Sequence, residues 1–210
     1  MSEKALSLYK HGLEEKDTLL RTQAFNASIQ LLLDSKEENN VLMAANLAQL
    51  REYPLALYYY MEELKKDPKN ADLRQSINET IKRGNLNTKV PDYTAFGPSS
   101  WILGLAFLLW FVVFSLWLKM RKRGVLLFSF VLLLNFLTLI VFSYRSLIPA
   151  VILHAQTLYQ SSNGKEVVSR VPAGKIVEVL DVQKHGAWIK IRTEDGVMGY
   201  VPQGAVRIVE

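Results

Sequence analysis

Residues 187–202 read AWIKIRTEDGVMGYVP. Two short β-rich runs, Ala187–Arg192 and Val197–Pro202, flank Glu194-Asp195-Gly196, a D-G turn of the kind that reverses a chain between strands. The same punctuation continues outward. Val151–Thr157, Val167–Arg170, Lys175–Val182 and Ala205–Val209 are further β-rich runs. They are separated by Ser161-Ser162-Asn163-Gly164, Pro172-Ala173-Gly174 and Lys184-His185-Gly186. Short strands packed so densely predict a small all-β barrel over residues 151–210.

Within that barrel, Gly174, Gly186-Ala-Trp188, Asp195-Gly196 and Gly199-Tyr200-Val201-Pro202 together resemble a bacterial SH3-like domain. In that family a Trp-bearing strand is followed by a D-G turn and a G-W/Y-V-P/S strand. Two departures stand out. The family's N-V-R-x-G-P segment is Thr157-Leu158-Tyr159-Gln160-Ser161-Ser162, without Arg or Pro, and Tyr200 replaces the second Trp. The resemblance implies an aromatic groove that binds cell-wall peptides or protein segments, with Tyr159, Trp188 and Tyr200 as its candidates. Ordinary barrel packing is the alternative reading of the same three aromatics.

Helical periodicity dominates the first 84 residues. From about Asn40, Ala44, Leu47, Tyr53, Ala56, Tyr60, Leu64 and Pro68 trace a helical pair whose Ala56-x3-Tyr60 and Asp67-Pro68 match the tetratricopeptide pattern A-x3-F…P. Gly12 and Ala24 repeat the spacing of Ala44 and Ala56, but Ser28 stands where the repeat has an aromatic, so the first pair is degenerate. Gly12, Ala24, Ala44, Ala56, Tyr60 and Pro68 are the expected packing residues. Leu73, Ile77 and Ile81 give a fifth helix one apolar stripe, suited to capping the array. Two repeats and a cap fall short of the three or so that an independent solenoid needs, so the domain is expected to be marginal alone or completed by a partner or a second copy, with a plain small helical bundle as the alternative.

Residues 101–118 (WILGLAFLLWFVVFSLWL) and 125–144 (VLLFSFVLLLNFLTLIVFSY) carry no charge, and each is long enough to cross the ~30 Å hydrocarbon core of a bilayer. Lys119, Arg121, Lys122 and Arg123 lie between them and supply most of the net charge of +5, so the basicity points to a membrane-flanking loop and no nucleic-acid partner. The positive-inside rule then places the loop in the cytoplasm and both flanking domains in the periplasm. Met1-Ser-Glu-Lys is followed by amphipathic helix and not by an apolar signal segment. Either a signal lies upstream, or the orientation is inverted and both domains are cytoplasmic. Asn135 is the strongly polar side chain at depth, read as an oligomerisation contact or as a bond to the neighbouring helix or backbone.

The expected fold is thus a multidomain membrane protein: an all-α tetratricopeptide-like domain (1–84), a linker (85–100), and a two-helix transmembrane hairpin (101–118 and 125–146) around a basic loop (119–124). An all-β SH3-like barrel (151–210) completes it. His11, His154 and His185 lie in separate contexts, cysteine is absent, and no phosphate- or dinucleotide-binding fingerprint occurs. Neither enzyme nor cofactor is expected. The order of parts resembles the BatE-type proteins of bacterial aerotolerance (Bat) operons. That resemblance implies a scaffold in the bacterial inner membrane, partnered by Bat proteins with von Willebrand A-type domains. The lipid bilayer, peptidoglycan and a second copy of the chain complete the expected partners.

Overall fold

The structure is a computed structural model and describes residues 2–35, 39–91, 148–182 and 187–209. Five helices come first: α1 (Ser2–Glu14), α2 (Thr18–Leu33), α3 (Asn40–Gln49), α4 (Tyr53–Lys66) and α5 (Ala71–Arg83). Local chemistry sets their limits. The Asp17 carboxylate accepts from the Leu19 and Leu20 N–H groups at 2.7 and 3.2 Å, opening α2. The Asn39 and Asn70 side chains accept at 3.0 Å from Leu42 N–H and Leu73 N–H, opening α3 and α5. Caps of this kind each contribute about 1 kcal/mol.

Two helices end in Schellman motifs. After α3, Arg51 N–H donates to Ala48 O at 3.2 Å and Glu52 N–H to Leu47 O at 2.9 Å, with Arg51 at φ 65°. After α5, Asn85 N–H donates to Lys82 O at 3.3 Å and Leu86 N–H to Ile81 O at 2.9 Å, with Asn85 at φ 48°. Neither position holds the glycine that a left-handed backbone favours.

Consecutive helices pack as neighbours, and small residues set the separation. Ala44 and Ala56 are fully buried beside Leu42, Met43 and Leu47. A Cβ on Gly12 would stand 2.7 Å from Phe25 Cε1, so the ring lies where only glycine fits. Ser28 joins three helices. Its Oγ donates to Ala5 O at 2.8 Å and accepts from Asn46 Nδ2 at 3.1 Å, while Asn46 Nδ2 also donates to Leu42 O at 2.8 Å. Both side chains are wholly buried, and Asn46 Oδ1 has no partner among the described residues.

The second part is one antiparallel sheet of β1 (Ile148–Ile152), β2 (Gln156–Tyr159), β3 (Val167–Val171), β4 (Ile176–Val182), β5 (Trp188–Arg192), β6 (Met198–Pro202) and β7 (Val206–Ile208). The strand order is β3-β2-β6-β5-β4-β1-β7, and a 3₁₀ turn, Gln203–Ala205, precedes β7. One face closes over Ala150, Ile152, Leu158, Val171, Val177, Val179, Ile189, Ile191, Val201 and Val206. Strand β5 shows the alternation plainly, with Ile189 and Ile191 buried and Trp188, Lys190 and Arg192 on the opposite face. Helix α4 packs against β1, and Lys65 Nζ donates to Val209 O at 3.4 Å.

The expectation of a two-helix membrane hairpin is corrected. The described residues form helices followed by an antiparallel sheet, and none of these helices is long and apolar enough to cross a membrane. The longest, α2, has 16 residues, fewer than the ~20 a span needs, and the helices bury part of their surface on their neighbours. Residues 101–118 and 125–146, on which both spans were placed, lie outside the described residues, as do Lys119, Arg121, Lys122, Arg123 and Asn135. The expected multi-pass inner-membrane location, with the flanking domains periplasmic or cytoplasmic, is withdrawn with the hairpin.

The expected first strand is also revised. Val151–Thr157 divides into β1 and β2 at a bend over Leu153 and His154, and Leu153 N–H is drawn aside to Ala205 O at 2.9 Å.

Candidate aromatic site on the sheet

The core-facing residues of β2, β5 and β6 determine what lies opposite them. Leu158, Ile189, Ile191 and Val201 are fully buried, so Tyr159, Trp188, Lys190, Tyr200 and Pro202 fall on the outer face. Register then makes them neighbours. Tyr159 pairs with Tyr200, Tyr200 with Lys190, and Trp188 with Pro202. The Tyr159 and Trp188 rings meet edge to face, with centroids 5.5 Å apart and planes at 89°. This geometry lets the positive edge of one ring meet the negative face of the other. Lys190 Nζ stands 5.9 Å from the centre of the Tyr200 ring, within reach of a cation–π contact.

Two glycines make this arrangement possible. At Gly199 a Cβ would come within 2.6 Å of both Leu158 Cγ and Tyr159 O, so β6 can lie this close to β2 only without a side chain there. Gly164, at φ 69°, closes the β2–β3 turn against Trp188, whose Cη2 would lie 3.5 Å from an added Cβ. The turn is ordered by Asn163 Oδ1, which accepts from Ser161 Oγ and, at 3.2 Å, from Lys165 N–H. Beside Tyr159 in the β2–β3 ladder, Val167 is 67% exposed and extends the apolar surface to the edge strand β3. Toward the other end, Arg192 pairs with Glu178 at 3.2 Å.

The three aromatics singled out in the sequence, Tyr159, Trp188 and Tyr200, are therefore brought together, all half-buried on one face. Lys190 and Pro202 join them and had not been singled out. Their signal is the i, i+2 spacing from Trp188 and Tyr200, which places them on the same side of their strands.

A second concavity lies on the helical part. Tyr9, Gln49, Tyr60, Glu79 and Arg83 help to line a cavity of about 240 Å³ between α1, α3, α4 and α5. Burial, then Tyr9 and Glu79, pushes the Tyr60 hydroxyl up to about 12, with Arg83 opposing. Along α5, Arg83 Nη2 lies 3.3 Å from Glu79 Oε2. Of the other helical residues singled out, Ala24 is buried, and Pro68 O accepts from Arg74 Nε and Nη2 at 3.1 and 2.9 Å in the α4–α5 turn.

His11 on α1 and His154 in the β1–β2 bend are exposed, and His185 is outside the described residues. Among the described residues no group of three His, Cys, Asp or Glu side chains stands close enough to hold a metal ion.

A small antiparallel sheet over an aliphatic core, with a 3₁₀ turn before β7, has the architecture of an SH3-like domain. Residues 160–207 match the bacterial SH3 domain family. The match takes in β3 to β6, Trp188 and Tyr200, and begins one residue after Tyr159. A bacterial SH3 domain is consistent with a protein- or peptidoglycan-binding role. No curated protein matches the chain.

Proposed function

We propose that this chain is a non-catalytic adaptor whose SH3-like domain takes a protein segment on the Tyr159–Trp188–Tyr200 face. The observation that carries this reading is the convergence of the three aromatics, with Lys190 and Pro202, beside the exposed Val167. Such a surface offers ring faces and edges, two phenolic hydroxyls and one cation to an extended segment. The cavity between α1, α3, α4 and α5 provides a second contact, in keeping with a tetratricopeptide-like reading of the helical part. Resemblance to BatE-type proteins suggests that the partners are other Bat proteins, including those with von Willebrand A-type domains, in a stress-tolerance complex.

Peptidoglycan is the second reading, favoured by the same rings, which can stack on sugars or peptide stems. Co-sedimentation of the full chain with purified sacculi separates the two. Retention that Trp188→Ala abolishes assigns the face to the wall polymer. No retention, together with photocrosslinks from Tyr159 or Tyr200 to a protein, supports the adaptor. Absence of both sacculus retention and protein crosslinks from Tyr159 or Tyr200 would remove the aromatic face from either role.

A further inference from the structure

The segment after α5 was expected to be linker, yet its burial alternates. Leu86, Thr88 and Val90 are half-buried, whereas Asn85, Asn87 and Lys89 are exposed. Period-two burial marks a segment laid along a surface with alternate residues turned inward, and Thr88 N–H bends back to Leu86 O at 3.0 Å. That surface belongs to the SH3-like domain and is formed by the Pro172-Ala173-Gly174 turn, the start of β4 and the β5–β6 turn. The Gly174 backbone, at φ 75°, carries no Cβ, and one placed there would come 2.6 Å from Leu86 Cδ2. Thr88 Oγ1 accepts from Ile176 N–H at 3.0 Å. Lys89 Nζ lies 3.5 Å from Glu194 Oε1, and Lys175, with 10% of its side chain exposed, reaches Glu194 and Asp195 at 3.5 and 3.7 Å.

The Schellman motif at Asn85 supplies the direction. It turns the chain out of α5 and starts the docked run at Leu86, whose N–H is held by Ile81 O. Elsewhere α4 lies against β1, and Lys65 reaches Val209 O.

We infer that the SH3-like domain carries a second docking surface, separate from its aromatic face, and that its occupant is this chain's own Leu86–Val90. The clasp takes an apolar side chain at one position and a hydroxyl acceptor two residues later. Occupied in cis, it ties α5 to β4, so the helical and β parts open and close together. The exposed Lys89–Glu194 pair adds little to the hold, because solvent screens it. Specificity resides in Leu86 and Thr88.

Hydrogen exchange on the full chain tests this at single amides. Thr88→Val keeps the shape and removes the acceptor, so the Ile176 amide should exchange at least about tenfold faster, the factor that ~1.4 kcal/mol of lost protection gives. Amides of β5 and β6 should be unchanged, and Thr88→Ser should restore the protection. Leu86→Ala should make β4 and α5 open with different free energies where the wild type has one. Unchanged Ile176 protection in Thr88→Val would overturn the clasp. So would a uniform loss of protection across β5 and β6, because that is general destabilisation and not release of one contact.

Discussion

The buried Ser28–Asn46 pair makes an asymmetric prediction. Ser28 Oγ donates to Ala5 O at 2.8 Å and accepts from Asn46 Nδ2 at 3.1 Å, both in a region with no solvent access. Leu42 O can only accept, which fixes Nδ2 toward it and leaves Oδ1 on the unpaired side. Ser28→Ala strips one partner from each neighbour, and a buried polar group losing its partner costs ~1–3 kcal/mol. Asn46 Nδ2 keeps Leu42 O, so the expected total is about 2–3 kcal/mol. Asn46→Leu behaves differently. It removes the unpartnered Oδ1, and Ser28 keeps its bond to Ala5 O, so the change should lie within ~1 kcal/mol of neutral. In the double variant the cost of Ser28→Ala should shrink, a coupling of ~1 kcal/mol or more that only directly interacting residues show. Urea unfolding followed at the helical circular-dichroism band, with the m-value checked for constancy, measures all four corners of the cycle. An Asn46→Leu variant weaker than Ser28→Ala would refute the reasoning.

Other perturbations follow from single features. Arg51→Gly and Asn85→Gly should each stabilise the helical part by up to ~1 kcal/mol, Arg51 the more because asparagine tolerates the left-handed region better; thermal melts check both. Gly199→Ala should cost ~1–3 kcal/mol and disturb the Tyr159–Tyr200 pairing, because the added methyl meets backbone Tyr159 O; loss of Tyr200 amide protection is the readout. Burial, with Glu62 beside Tyr58 and with Tyr9 and Glu79 beside Tyr60, pushes both hydroxyls from the ordinary 10 up to about 12. The folded state holds these protons more tightly than the unfolded chain, so their contribution to stability is whole below pH 10. It is lost as the pH rises through about 12. Absorbance titration at the phenolate band should show Tyr60→Phe deleting a late-titrating group; deletion of an ordinary one would contradict the burial argument.

The turns were the most legible part of the sequence. Asp195-Gly196 and Pro172-Ala173-Gly174 carry their geometry in their residue types, and Gly174 and Gly196 do adopt positive φ. The bend between β1 and β2 was not legible, because Leu153-His154-Ala155 contains none of the residues that mark a reversal. What turns the chain there is Leu153 N–H bonding to Ala205 O, a partner 52 residues away. The aromatic site was half visible. Residue type suggested Tyr159, Trp188 and Tyr200, but only the register of β2 on β6 and β6 on β5 makes them adjacent. Ser28 read as the weak point of a degenerate repeat, since an aromatic was expected. A hydroxyl serves there because Asn46 and Ala5 O need a bridge, which local spacing does not encode. Leu86–Val90 escaped notice because three alternations among Asn, Thr and Lys are too few to outweigh a turn-like composition.

Strand β1 has β4 on one side and β7 on the other, with Ile152 opposite Val206 and Val209 N–H bonded to Pro149 O at 2.9 Å. During synthesis, therefore, β1 leaves the ribosome with both of its hydrogen-bonding edges vacant. The neighbour that covers the second edge, β7, is the last made of the described strands. Nucleation by β5 and β6 around their tight turn can begin earlier, but closure of the sheet waits on residues 206–209. Premature termination just short of them would leave a bare apolar edge free to recruit another nascent chain.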